Sequence, residues 1–150
     1  MPGKVVQQRE LQRSERTPMQ WTPGPQAGFS TNPQTWLPVV PDYKTVNVQA
    51  ESGVANSLLG WNEKLIALRR TNAALHNGAL TMLDTGPNVL AYTRKAAGTP
   101  EVVVAMNMSA SEQTVVVDGA TTTLAQSDAG TRFENGKLVL PAFSAWIGKK

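Results

Sequence analysis

The chain has 150 residues, 41% hydrophobic and 17% charged, with 14 basic against 11 acidic side chains and no cysteine. This is the composition of a globular chain, not a disordered one, and it excludes a disulfide framework and a thiolate metal site. No apolar run approaches the roughly 18 residues of a membrane span, and the opening MPGKVVQQRELQRSER has no secretory hydrophobic region, so no membrane partner is expected and the cytoplasm is the favoured compartment.

In chain order, residues 1–15 read as an N-terminal tail in which 4–15 can form a short polar helix. Residues 1–16 carry a net charge of +2, Lys149 and Lys150 add +2, and 17–148 sum to −1. The basic excess sits at the two ends rather than on the fold, which argues against a nucleic-acid partner.

Residues 16–48 hold six of the ten prolines and two of the four tryptophans. Each proline removes a backbone donor and fixes φ. A flexible linker has no use for Trp21, Phe29, Trp36 and Tyr43, so the segment reads as a loop of set shape. Its length without regular structure points to function or to a surface on which it packs.

Residues 56–75, NSLLGWNEKLIALRRTNAAL, carry apolar side chains at spacings of three and four (Leu58, Trp61, Leu65, Leu68), joined by Leu59 and Ile66. This predicts one long helix. Asn56 or Ser57 caps its start, and Arg69 and Arg70 suit the negative end of its dipole. Asn77-Gly78 ends it. His76, the sole histidine, reads as a capping or surface residue; one histidine without cysteine makes no zinc site.

From residue 78 the period changes. ALTML (79–83), VLAYTR (89–94), EVVVAMNM (101–108), QTVVVD (113–118), TTTLAQ (121–126), KLVLP (137–141) and SAWIGK (144–149) read as short strands. Asp118-Gly119 and Asn135-Gly136 are hairpin signals. The spacing predicts an antiparallel β-sandwich over 78–150, and this part is expected to hold most of the stability.

Five motifs in fixed order, RTPMQW (16–21), AGFS (27–30), WLPV (36–39), VNV (46–48) and NSLL…KLIALRR…ALHNGAL (56–80), resemble the C-terminal third of α-glucosidases of the α-amylase superfamily, such as oligo-1,6-glucosidase, dextran glucosidase and trehalose synthase relatives. The resemblance covers about residues 16–148. It implies a mainly β fold with one long helix. An α-amylase-type C-terminal antiparallel β-sandwich (78–150) would follow a remnant of a (β/α)₈ barrel (16–77), itself composed of the irregular segment 16–55 and the helix 56–75. Loops at the C-terminal ends of barrel strands build the active site in that fold.

The implied reaction is hydrolysis or transfer of α-linked glucosyl units with retention, on an α-glucosidic oligosaccharide and with no cofactor. Retaining chemistry needs two carboxyl groups about 5–5.5 Å apart. The family's catalytic carboxylates lie upstream of the matched motifs, and the eleven acidic residues here are scattered. The chain alone is therefore expected to be a catalytically inactive fragment with no catalytic and no metal-binding residue.

By resemblance, Arg16 is the substrate-contacting residue, its planar fork reading a sugar hydroxyl; otherwise it is a surface charge. Trp21, Phe29 and Trp36 read as a sugar-stacking platform or as packing anchors. The family carries an acidic residue after the motif's tryptophan, where this chain has Thr22.

Two other readings stand beside the first: a carbohydrate- or protein-binding β-sandwich module, and a purely structural scaffold. The apolar residues of 56–75 also predict a homodimer, through that helix or the N-terminal segment, unless 16–48 folds over it.

Overall fold

The computed structural model describes residues 16–119 and 122–150; the tail and short helix expected over 1–15 lie outside them. Two compact units make up the chain, Met1–Trp61 and Asn62–Lys150.

The described part of the first unit has little regular structure: a 3₁₀ turn at Pro25–Gly28, a one-turn helix α1 (Val48–Glu51), and the start of helix α2 (Leu58–Thr71). Of its described residues only Pro18, Ala27 and Asn47 are buried. The helix expected over 56–75 begins as foreseen. Ser57 Oγ accepts from the Gly60 N–H at 3.0 Å, and the Glu51 carboxylate takes the Leu59 N–H at 2.8 Å. Two donors that the first turn leaves unpaired are thus satisfied, with a negative charge at the positive end of the dipole.

The helix does not run through to residue 75. It stops at Thr71, and Asn72, in extended conformation, caps a new helix α3 (Ala73–Asn77) by accepting from the Ala74 and Leu75 N–H groups. Asparagine is a favoured cap because its side chain competes with the backbone for these donors; the apolar spacing ends at Leu68, and Ala73, Ala74 and Leu75 resume directly after the cap. Gly78 ends α3 at φ −66° rather than in a left-handed turn. A glycine is needed there for clearance, since a Cβ would meet the Ala74 carbonyl and lie 2.9 Å from the Lys95 backbone.

The second unit is the expected sandwich. Strands β1 (Ala79–Leu83), β2 (Val89–Lys95), β3 (Val102–Asn107), β8 (Ala145–Lys149) and β5 (Thr122–Gln126) form one antiparallel sheet in that order. β4 (Gln113–Val115), β7 (Lys137–Leu140) and β6 (Arg132–Glu134) form the other. Alternation puts Val89, Ala91, Val103, Ala105 and Trp146 of the larger sheet against Val115, Leu138 and Leu140 of the smaller. Trp146 is fully buried, donates its ring N–H to Thr123 Oγ1 at 2.9 Å, and lies edge-on to Phe133 at 5.5 Å. Its ring covers Gly148, where any Cβ would overlap it.

Asn107, buried at the end of β3, joins the two sheets. Its amide donates to the Ser111, Leu140 and Pro141 carbonyls, and its Oδ1 accepts from the Ser109 N–H and hydroxyl.

Asn135-Gly136 is the expected hairpin, with φ +50° and +75°, closing β6 onto β7. Two successive positive φ values define the turn whose twist suits paired strands. Asp118-Gly119 is not a hairpin: β4 before it pairs with β7 in the smaller sheet, and β5 after it pairs with β8 in the larger. Turn chemistry allows the chain to reverse but does not choose the partner strand, which the burial of Val115 and Val117 decides. β6 was not anticipated, being three residues long with two of them charged.

Candidate functional site

The first unit carries the chain's candidate site, and the RTPMQW motif builds one side of it. The Gln20 and Trp21 carbonyls accept from the Val48 and Gln49 N–H groups, the free donors at the start of α1. Asn47, 4% exposed, caps that helix through Ala50 N–H and donates to the Tyr43 carbonyl, so both ends of its amide are satisfied. The VNV motif therefore anchors MQW to a helix start. Gln20 also donates to Asp42 at 2.9 Å.

After MQW the chain makes a tight left-handed turn. Gln26, Ala27 and Gly28 have φ of +51°, +54° and +68°, a conformation that costs a non-glycine residue about 1 kcal/mol or more. Surrounding bonds hold it. The Trp21 and Thr22 N–H groups both donate to the Ala27 carbonyl, at 2.8 and 3.0 Å, and Gln26 Nε2 donates to the Pro33 carbonyl at 2.7 Å. Thr22, which stands where relatives are expected to have a carboxylate, accepts the Gly24 N–H with its hydroxyl at 3.2 Å. That is the local turn an acidic side chain also makes two residues on. Ala27, fully buried, is the pivot.

This turn brings AGFS back beside the start of the motif. Arg16, Thr17 and Pro18 face Phe29, Asn32 and Trp36 across a cavity of about 370 Å³. Three of the four side chains singled out from sequence meet here. Trp21 does not line the cavity, and is half exposed. Trp36 is 98% exposed and Phe29 52%.

Among the described residues no acidic side chain lines the cavity. Of the carboxylates in this unit, Asp42 is held by Gln20 and Glu51 caps α2. In the second unit Glu112 and Glu134 pair with Arg132, and Glu101 with Lys150 at 3.3 Å. Burial alone would raise the Glu101 carboxyl, but hydrogen bonds from Lys150 and Thr93 and the charges of Lys150 and Lys95 hold it below the usual range. The described residues contain no group of three or more His, Asp or Glu side chains placed to hold a metal ion. His76 is exposed at the end of α3.

Two families match this chain in succession: the α-amylase catalytic domain over residues 3–78 and the α-amylase SusG C-terminal domain over 89–147. The chain belongs to the α-amylase family. Among this family's curated members, it is 36% identical over 131 residues to the glucan 1,6-α-glucosidase of Streptococcus pneumoniae, covering 87% of this chain and 24% of that enzyme. The trehalose synthase/amylase of Mycobacterium tuberculosis is 40% identical over 112 residues, 69% of this chain and 19% of the relative. Among solved structures, the trehalulose synthase MutB of Pseudomonas mesoacidophila superposes with a TM-score of 0.81 at 31% identity, over 89% of this chain and 25% of its own; a MutB mutant has been solved with its substrate sucrose. The α-amylase-family chain described here thus spans about a quarter of the length of these relatives.

The mainly β architecture with a C-terminal sandwich matches the family expectation. Sequence reasoning missed Asn47 and the left-handed Gln26–Gly28 turn. VNV was recognised as a motif without a role for its asparagine. Nothing in the letters Gln and Ala signals positive φ, because neither residue favours it.

Proposed function

We propose that these 150 residues supply the C-terminal portion of a retaining α-glucosidase-type glycoside hydrolase and are catalytically inert by themselves. In this reading 1–15 is a tail, 16–77 belongs to the catalytic barrel, and 78–150 is the C-terminal β-domain. The carrying observation is the cavity between Arg16, Phe29 and Trp36, which offers a guanidinium and two aromatic faces and, among the described residues, no carboxylate. Arg16 would donate to hydroxyls of an α-glucosidic oligosaccharide, and Trp36 and Phe29 would bound the sugar's apolar faces. Bond cleavage with retention needs a nucleophile and an acid/base pair, and the cavity supplies neither.

The test is incubation of the purified chain at high concentration with an aryl α-glucoside and with isomaltose. No release of aglycone or glucose is expected. Turnover that follows the protein through purification and is abolished by Asp42→Asn or Glu51→Gln would refute inertness.

A second reading, a carbohydrate-binding module, is favoured by one observation, the full exposure of the Trp36 ring. Chemical-shift titration with maltose and isomaltose separates the two: saturable shifts at the Trp36 indole at low-millimolar sugar support binding without the rest of an enzyme. A homodimer through the helical segment 56–75 or through the N-terminal segment is a further part of this reading; α2 buries none of its residues and leaves Ile66 half exposed.

A further inference from the structure

The two sheets have four edge strands, and three of them are protected. β4 and β6 are only three residues long, and β6 carries Arg132, paired with Glu112 and Glu134. β5 breaks its register against β8 between Thr123 and Ala125. Short length, charge and bulges are the devices by which natural sheets keep their edges from pairing.

β1 has none of them. Its five residues, Ala-Leu-Thr-Met-Leu, hold unbroken one-to-one register with β2, and include no charge, proline or glycine. Leu80 and Met82 are 52% and 55% exposed. Among the described residues no backbone hydrogen bond joins β1 to anything but β2, and none of them pairs with its outer row of N–H and C=O groups.

We propose that β1 is a self-association edge: two copies pair β1 to β1, antiparallel about a two-fold axis, and join their larger sheets into one. The strand suits itself as a partner. Centred on Thr81, the pairing sets Ala79 against Leu83, Leu80 against Met82, and Thr81 against its symmetry mate. Apolar and Thr–Thr pairs are favourable across antiparallel strands, and no like charges oppose.

The register also places Leu80 and Met82 on the face that carries Arg94 and Tyr92. Asp84 follows β1 on that same alternation, so the two-fold puts the acidic residue of each copy on the face of the other's Arg94, two strands across and two residues along, about 12 Å away. Arg94 makes no ion pair among the described residues, and its Nε has no hydrogen-bond partner. An unrelated strand would fill the hydrogen bonds without answering this charge.

Size exclusion with light scattering on the full chain, over about a hundredfold concentration range, should show a mass rising from 16.1 kDa towards a dimer. Met82→Lys should raise the midpoint concentration about tenfold or more, whereas Ile66→Lys on α2 should leave this step in place. A mass that stays monomeric throughout overturns the proposal and leaves the edge to a strand of another protein. Association that survives Met82→Lys but is lost with Ile66→Lys also overturns it. Should circular dichroism show that Met82→Lys unfolds the chain, amide exchange of the unmodified protein at two concentrations decides. Amides of 79–83 that exchange more slowly at the higher concentration support the pairing, and unchanged rates refute it.

Discussion

The described part of 16–61 and the unit 62–150 are held together by different physics. The first has three buried residues and relies on local hydrogen bonds: caps by Asn47 and Ser57, a threonine turn at Thr22, and a left-handed turn closed by two donors on one carbonyl. The second interlocks two sheets over Trp146, Leu138 and Leu140, with Asn107 tied across the layers. Local bonds specify shape but add only about 0.5–1.5 kcal/mol each, net of water. A contiguous core adds that much for nearly every buried side chain. Local opening is therefore expected at lower free energy in the first than in the second.

Core truncation tests this contrast most strongly. Leu138→Ala, at a site with no exposure, should lower unfolding free energy by about 2–5 kcal/mol, and Trp36→Ala by less than about 0.5 kcal/mol. Urea denaturation followed by circular dichroism measures both. A comparable loss from the two would mean that the exposed tryptophan is packed in solution.

The polar link between the layers comes next. Asn107→Ala removes the donor to the Leu140 carbonyl and the acceptor of the Ser109 N–H, while the Pro141 carbonyl keeps Ser144 as donor, and should cost about 1–3 kcal/mol. Asn107→Asp keeps the shape and the acceptor but turns the donor into a charge facing carbonyls, and should do no better than alanine. An aspartate variant as stable as wild type would show that the amide N–H groups contribute nothing.

The smallest effect is electrostatic. Glu101 is held below its usual range in the folded chain, so its pairing stabilises the fold above the unfolded carboxylate value of about 4.3 and is lost as pH falls through the lower folded value. Both partners are partly exposed, which keeps the contribution small. Glu101→Gln should therefore reduce the drop in urea midpoint between about pH 6 and about pH 3 while leaving a folded protein at both. An unchanged drop would remove Glu101 from the acid response.

Much of the second unit is legible in its amino-acid pattern. The pattern of 89–94, 101–108 and 137–141 locates strands within a residue or two: β2 alternates because one of its faces is buried, whereas β3 and β7 are short, nearly continuous apolar runs buried on both faces. Asn135-Gly136 specifies its hairpin through its own positive φ values. The family is legible from five ordered motifs, and those motifs mark Arg16, Phe29 and Trp36, the side chains that the cavity joins.

Other features depend on partners far along the chain, and no local pattern carries them. The break at Asn72 lies inside a segment whose composition reads as one helix. Asp118-Gly119 looks like Asn135-Gly136, yet it sends the chain from one sheet to the other, because strand choice is settled by which apolar faces can be buried together. The same applies to the positive φ of Gln26 and Ala27. Their letters disfavour it, and only the Trp21 and Thr22 donors converging on one carbonyl stabilise it. What the sequence by itself determined was most of the strands, where the helix begins, and which family they belong to, since those follow from periodicity and motif order, whereas the short charged β6 and the break at Asn72 do not. Only the tertiary structure decided which strands pair, which edge is left open, and that an arginine and two aromatics from separate motifs share one cavity, since each of these is a contact between residues whose separation in sequence sets no distance in space.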